Sequence, residues 1–166
     1  RPNADAGVIT ARQSLVPGYP AGAHQAGVGI TRLTLSAFRS YSRLRLDLDR
    51  RSVVLTGANG AGKTNLLEAL SFLAPGRGLR GAKLATVAQT AIGPALVEHA
   101  ERPPQPWAVV ATLASDEGDT DLATGLDPDK PERRVVRVDG TAAKGAVALG
   151  RQLGVIWLTP AMDRLF

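Results

Sequence analysis

The chain has 166 residues, 44% of them apolar, and 20 Lys and Arg against 15 Asp and Glu leave a formal net charge of +5. That is enough apolar material to fill one hydrophobic core, and no run approaches the roughly eighteen consecutive apolar residues that cross a bilayer. With no cysteine, a disulfide framework and thiolate metal ligation are excluded, and the reading is a cytoplasmic protein with no membrane contact. The positive balance favours a polyanionic partner through counterion release, although a chain this rich in Ala, Gly, Pro and Arg also reflects GC-rich codons.

Residues 1–27 carry prolines, glycines and alanines with no apolar period and are expected to form a disordered leader. The isolated His24 and His99 suggest no metal site. Order is expected from Val28, with a first strand through Ile30, Leu33 and Leu35. From Arg43 to Leu48, Leu44, Leu46 and Leu48 alternate with Arg45 and Asp47, the mark of a half-buried antiparallel strand. Ser52–Thr56 reads Ser-Val-Val-Leu-Thr without alternation, as expected for a parallel strand covered on both faces. From Asn65 to Ala74, Leu66, Ala69, Leu70 and Leu73 share one helical face before Pro75 and Gly76 stop the run.

Beyond Arg77 the pattern loosens, with a short helix expected near Leu84–Gln89 and a proline-rich connection at Pro103, Pro104 and Pro106. Three strands follow at Trp107–Leu113, Leu122–Gly125 and Arg134–Val138, separated by Asp, Gly and Pro turns, so 107–140 reads as an antiparallel lobe. Asp116-Glu117 imitates the end of a Walker B strand but is read as a hairpin turn, because Ser115 interrupts the apolar run and Gly118-Asp119 continues the turn. A short helix at Lys144–Leu153 and an apolar strand at Val155–Leu158 complete the expected elements, with Trp107 and Trp157 placed in the core.

Between the Ser52–Thr56 strand and the helix stands Gly57-Ala58-Asn59-Gly60-Ala61-Gly62-Lys63-Thr64, which satisfies G-x-x-x-x-G-K-[ST]. Each fixed position answers a demand of polyphosphate binding. The glycines turn the backbone through positive φ and bring its N–H groups to oxygen atoms. Lys63 suits the β- and γ-phosphates of ATP, and the Thr64 hydroxyl suits Mg²⁺. The helix start adds the positive end of its dipole. Strand, glycine loop and helix in this order are the context the motif requires.

The flanks narrow the choice of family. Leu33-Thr-Leu-Ser-Ala-Phe-Arg-Ser-Tyr41, then Leu44–Leu48, then Val54–Leu70 with Asn-Leu-Leu-Glu-Ala after the loop, resemble the opening of the RecF family. So do Leu73–Arg80, Arg134–Gly140 and Val155–Leu165 in order and spacing, so the resemblance covers about 28–166. It implies an α/β P-loop NTPase head of the ABC/SMC type with an antiparallel β lobe, its first part at 28–76, ending before the Walker B half. It implies ATP and Mg²⁺ at Gly57–Thr64 and Asn65, with Arg39 near the phosphates. It also implies single-stranded or gapped DNA as partner, recombination mediator proteins, a homodimer of the full-length ATP-bound protein, and a role in recombinase loading and replication restart. Arg77, Arg80 and Lys83, with no acid among them, are the candidates for DNA-backbone contact. Without a Walker B acid or a partner's signature segment, this stretch is expected to bind ATP without turning it over. It is also expected to expose an unpaired edge beside the Ser52–Thr56 strand.

Other readings fit parts of the chain. An ABC transporter ATPase would place a glutamine-led loop after the lobe, for which Gln152 is poorly placed. A GTPase would need Asn-Lys-x-Asp and Asp-x-x-Gly, and neither occurs. A small-molecule kinase, or an inactive gene remnant, is not excluded by any motif.

Overall fold

The computed structural model describes residues 10–13, 28–89 and 106–157. Most of these residues build one antiparallel sheet. Its strands are β2 (Gly29–Phe38), β3 (Tyr41–Asp47), β5 (Ala108–Ser115), β6 (Gly118–Leu126), β7 (Arg134–Val138) and β8 (Thr141–Ala142), in the order β3-β2-β5-β6-β7-β8. A second, two-stranded sheet pairs β1 (Thr10–Gln13) with β4 (Val53–Thr56). The helix α1 (Lys63–Ser71) follows β4 through the glycine loop.

The alternating pattern does what it should. Leu33 and Leu35 on β2, Val109, Ala111 and Leu113 on β5, and Leu122 on β6 point to one face and are buried with Leu66, Ala69, Phe72 and Leu73 from α1 and the turn after it. The opposite faces carry Arg32, Arg45 and Asp47, which pair on the surface. β3, at the sheet edge, is half-buried at Leu44 and Leu46 and exposed at Arg43 and Arg45, as its alternation requires. At the centre of the core Phe38, Phe72 and Trp107 meet edge-on or tilted, with centroids 5.1–5.9 Å apart. The Trp107 indole N–H donates to the Leu84 carbonyl at 2.9 Å, so the ring is buried without stranding its one polar atom.

Asp116 and Glu117 form the two-residue turn of the β5–β6 hairpin, closed by the Ser115–Gly118 pair. That was the expected reading. Several other expectations are corrected. Four residues of the supposed leader, Thr10–Gln13, form β1; the rest of 1–27, including His24, lies outside the described residues, as do His99, Pro103 and Pro104. β4 pairs antiparallel with β1, and Val53 and Val54 are 37% and 48% exposed, whereas a doubly covered parallel strand was expected. An unbroken apolar run records what a strand can bury, not which elements cover it, and among the described residues β1 alone runs beside β4.

α1 ends at Ser71, three residues early, because Phe72, Leu73 and Ala74 tighten onto the carbonyls of Ala69, Leu70 and Ser71 ahead of Pro75. The short helices expected near Leu84–Gln89 and Lys144–Leu153 are present as 3-10 turns, at Leu84–Val87 and Ala146–Arg151. Residues 155–157 have no regular structure, and Ile156 is exposed, so the strand at Val155–Leu158 is absent over its described part; Leu158 lies outside it. Trp157 is half-buried and does not join Trp107 in the core.

Because the three rings share one contact, Trp107→Ala should cost about 3–5 kcal/mol of folding stability, the range for a buried aromatic cut to alanine. Urea denaturation measures it, and a loss below about 1 kcal/mol would contradict this packing.

Candidate phosphate-binding site

The loop Gly57–Gly62 leaves β4 and turns directly into α1. Its glycines take backbone angles that other residues avoid, with φ of 147° at Gly57, 83° at Gly60 and 100° at Gly62. Gly62 is the residue before the first helical turn, and it is buried. A Cβ there would lie 2.7 Å from the Tyr41 hydroxyl and 3.0 Å from Ser40 Oγ. The hairpin turn between β2 and β3 therefore presses against the end of the loop, and only glycine allows it to come so close.

The start of α1 has no side-chain cap and no acidic residue in its first turn. The first N–H groups of a helix have no acceptor within the helix, so these donors and the positive dipole end face the loop. Lys63 folds back over the loop, and its ammonium donates to the carbonyls of Gly57 and Ala58, each at 2.8 Å. At Gly60 a Cβ would meet nothing within 4 Å, so the loop crown is open on that side. Thr64 is exposed on the first turn. Uncapped helix donors, a cation that among the described residues is held by two carbonyls, and an open glycine crown fit a polyphosphate with its metal ion.

Behind the loop lies a cluster of charges that the sequence pattern did not reveal. Glu68, on the second turn of α1, is fully buried. Arg39 grips it with both arms of its fork, Nε to one oxygen at 3.0 Å and Nη2 to the other at 2.7 Å, and gives its remaining arm to the Thr86 carbonyl at 2.7 Å. Arg80 Nη1 reaches the same carboxylate at 3.0 Å and Asn65 Oδ1 at 3.2 Å, and Asn65 Nδ2 donates to Ser40 Oγ at 3.0 Å. Tyr41 donates its hydroxyl to the Gly62 carbonyl at 3.1 Å, and burial raises its pKa, so it stays a donor at neutral pH.

Of the candidate residues, the eight of the loop and Asn65 stand together at the start of α1. Arg39 is brought near them by its neighbours Ser40 and Tyr41, which contact Asn65 and Gly62, but its guanidinium is turned to Glu68 and Thr86. The three basic candidates separate. Arg80 is held by Glu68 and Asn65, whereas Arg77 and Lys83, both exposed, stand on one groove of about 550 Å³ with Leu84, Glu132 and Arg134. Arg134 is the cation the sequence reading missed. It donates to Thr124 Oγ1 at 2.7 Å and to the carbonyls of Phe72, Ala74 and Gly76, and its guanidinium lies 5.4 Å from the centre of the Phe72 ring. Burial lowers its pKa to about 10, so it remains charged at neutral pH and ties the end of α1 to the sheet. No cluster of three or more His, Asp or Glu that could hold a metal occurs among the described residues.

Comparison with known proteins places this geometry. Residues 29–136 match the RecF/RecN/SMC N terminal domain. The chain is 48% identical over 140 residues to the DNA replication and repair protein RecF of Rhizobium meliloti (strain 1021), covering 84% of this chain and 34% of that one. It is 47% identical over 143 residues to the protein of the same name from Caulobacter vibrioides, covering 85% and 35%. It thus spans about a third of the length of the curated relatives it matches. In fold it is similar to the recombination mediator protein RecF solved with ATP, at a TM-score of 0.54 and 20% identity over 74% of this chain and 30% of that one. A second structure, of RecF-ATPrS, gives a TM-score of 0.56 at the same identity, over 74% and 29%. The fold is therefore that of the expected RecF/SMC-type head, with the antiparallel lobe in place.

The two loop glycines should respond differently to alanine. Gly60→Ala meets open space and should lose about 1–2 kcal/mol from its left-handed backbone alone. Gly62→Ala adds a clash with Tyr41 and Ser40 and should lose clearly more, as read from urea midpoints. Equal losses would contradict the close approach of the β2–β3 turn.

Proposed function

The chain belongs to the RecF/RecN/SMC N-terminal domain family, on its RecF branch, and on that premise we propose that it is the ATP-binding portion of a cytoplasmic RecF-type DNA replication and repair protein. What carries the reading is the Gly57–Thr64 loop, where the Lys63 ammonium and the uncapped start of α1 converge on an open glycine crown. In this reading the backbone N–H groups from Gly57 to Gly62 and those of Lys63 and Thr64 hold the phosphates, and Lys63 exchanges its two carbonyl acceptors for phosphate oxygens. Thr64 supplies the hydroxyl ligand for Mg²⁺, which would neutralise charge on the β- and γ-phosphates. Asn65 and Arg39 flank the site. Arg39 acts there through the turn it stabilises, since each of its three nitrogens already donates to Glu68 or Thr86.

The full-length protein is proposed to close as an ATP-bound homodimer on single-stranded or gapped DNA and to work with recombination mediator proteins. For DNA contact within this chain, Arg77 and Lys83 are the better candidates. They are exposed and have no ion pair or side-chain hydrogen bond among the described residues, whereas Arg80 is committed to Glu68. The net charge of +5 supports a polyanionic partner.

Two measurements test this. Calorimetric titration with Mg²⁺ and ATP should show one site that Lys63→Ala abolishes, with no phosphate released by this chain alone; undiminished binding by Lys63→Ala would sink the nucleotide reading. Arg77→Ala and Lys83→Ala should each weaken single-stranded DNA binding and lower its logarithmic salt slope by about 0.7, and unchanged slopes would remove these two residues from the interface.

A further inference from the structure

The buried ion pairs behind the phosphate loop point beyond stability, given the nucleotide-binding reading above. A carboxylate with no water contact must be matched by donors to remain charged, and Glu68 is matched on both oxygens by Arg39 and on one by Arg80. What this arrangement holds in place is the Arg39–Ser40 turn. The turn joins β2 to β3 through two residues, neither of them glycine, and Arg39 sits at a φ of 51°. Two-residue hairpins favour Asn and Gly because such angles are strained for other residues. Here the conformation is enforced from outside, by the Glu68 grip on the side chain and by the Arg39 N–H donating to the Val87 carbonyl at 2.9 Å.

The turn in turn delivers two groups to the loop. Ser40 Oγ lies against Gly62 and accepts from Asn65 Nδ2, and the Tyr41 hydroxyl donates to the Gly62 carbonyl, which also accepts the first helical bond, from Leu66. We propose that Glu68 is a positioning residue of the nucleotide site, because its carboxylate fixes the Arg39–Ser40 turn that sets the last glycine of the phosphate loop and the side chain of Asn65. Arg80 closes the cluster from the other side, bonding Glu68 and Asn65 together and so fixing the first two turns of α1 relative to one another. An ion pair that served folding alone would leave nucleotide affinity untouched in any variant that remains folded.

The test uses titration of a fluorescent ATP analogue with Mg²⁺ into the chain and its variants, at a temperature well below each melting point. Ser40→Ala removes the turn's contact with Asn65 without touching the buried charges and should weaken binding about fivefold; Glu68→Gln should weaken it about tenfold. Because both act through one turn, the double variant should be no more than about twofold weaker than Glu68→Gln alone. The ¹⁵N spectrum should show the Arg39 Nε–H and Asn65 amide signals displaced in Glu68→Gln. A folded Glu68→Gln that binds within twofold of the unaltered chain, or effects that multiply in the double variant, would overturn the inference. Should Glu68→Gln not fold, Ser40→Ala and Tyr41→Phe decide it, since unchanged affinity in both breaks the proposed path. Lys63→Ala is the control: if it binds as well as the unaltered chain, the nucleotide reading itself fails, and this inference with it.

Discussion

A carboxylate sealed from water on the helix that starts at the phosphate loop is the constraint around which the rest of this structure is arranged. Removing an ion from water costs several kcal/mol unless its lone pairs are met by charged donors, and Glu68 is met by two arginines from two different segments. Arg39 comes from the β2–β3 turn and Arg80 from the loop after α1. The single acid therefore draws the hairpin, the helix and the following loop to one point, directly behind Gly62 and Asn65. Ser71 adds a second tie, its hydroxyl donating to the Glu68 carbonyl and accepting from the Leu79 N–H, both at 2.6 Å.

Around this point the apolar core does the bulk of the holding. The sheet presents Leu33, Leu35, Val109 and Leu122 to α1, and the Phe38–Phe72–Trp107 triplet fills the corner where hairpin, helix and the 3-10 turn at Leu84–Val87 converge. Arg134 secures the far end of α1 by donating to the carbonyls that follow it. Both ends of the phosphate-loop helix are thus fixed to the sheet, the start through Tyr41 and Ser40 and the end through Arg134. A rigid helix start is what a phosphate site needs, because donors already in place lose nothing to reorganisation when charge arrives.

Much of this was legible in the chain, and what was not has a common physical cause. The proposed phosphate loop is a local object: its glycines, lysine and threonine fall within eight successive residues, so the motif can be read from spacing alone. The strands β2, β3, β5, β6 and β7 were legible because burying one face imposes a period of two on a single stretch. The Asp116-Glu117 turn followed from the interruption by Ser115 and the glycine beyond. Glu68 was hidden because it occupies a buried helix position where its partners, 29 and 12 residues away, cannot be read from period or spacing. Arg134 was hidden for the same reason, its carbonyl acceptors lying about 60 residues earlier in the chain. The pairing of β4 with β1 escaped because an apolar run of three specifies burial but no partner. The basic candidates near the loop were legible as charges, but only three-dimensional contact separates Arg80, held by Glu68, from Arg77 and Lys83 on the open groove.

Gly57–Thr64 is proposed here as a nucleotide site whose shape is set from behind. The most direct measurement is a crystal structure of the protein with Mg²⁺ and a slowly hydrolysed ATP analogue. The expected result is the β- and γ-phosphates on the loop N–H groups, Lys63 moved from the Gly57 and Ala58 carbonyls to phosphate oxygens, Thr64 on the metal, and the Arg39–Glu68 pair unchanged. A nucleotide bound elsewhere, or Lys63 still on those two carbonyls beside a bound nucleotide, would contradict it.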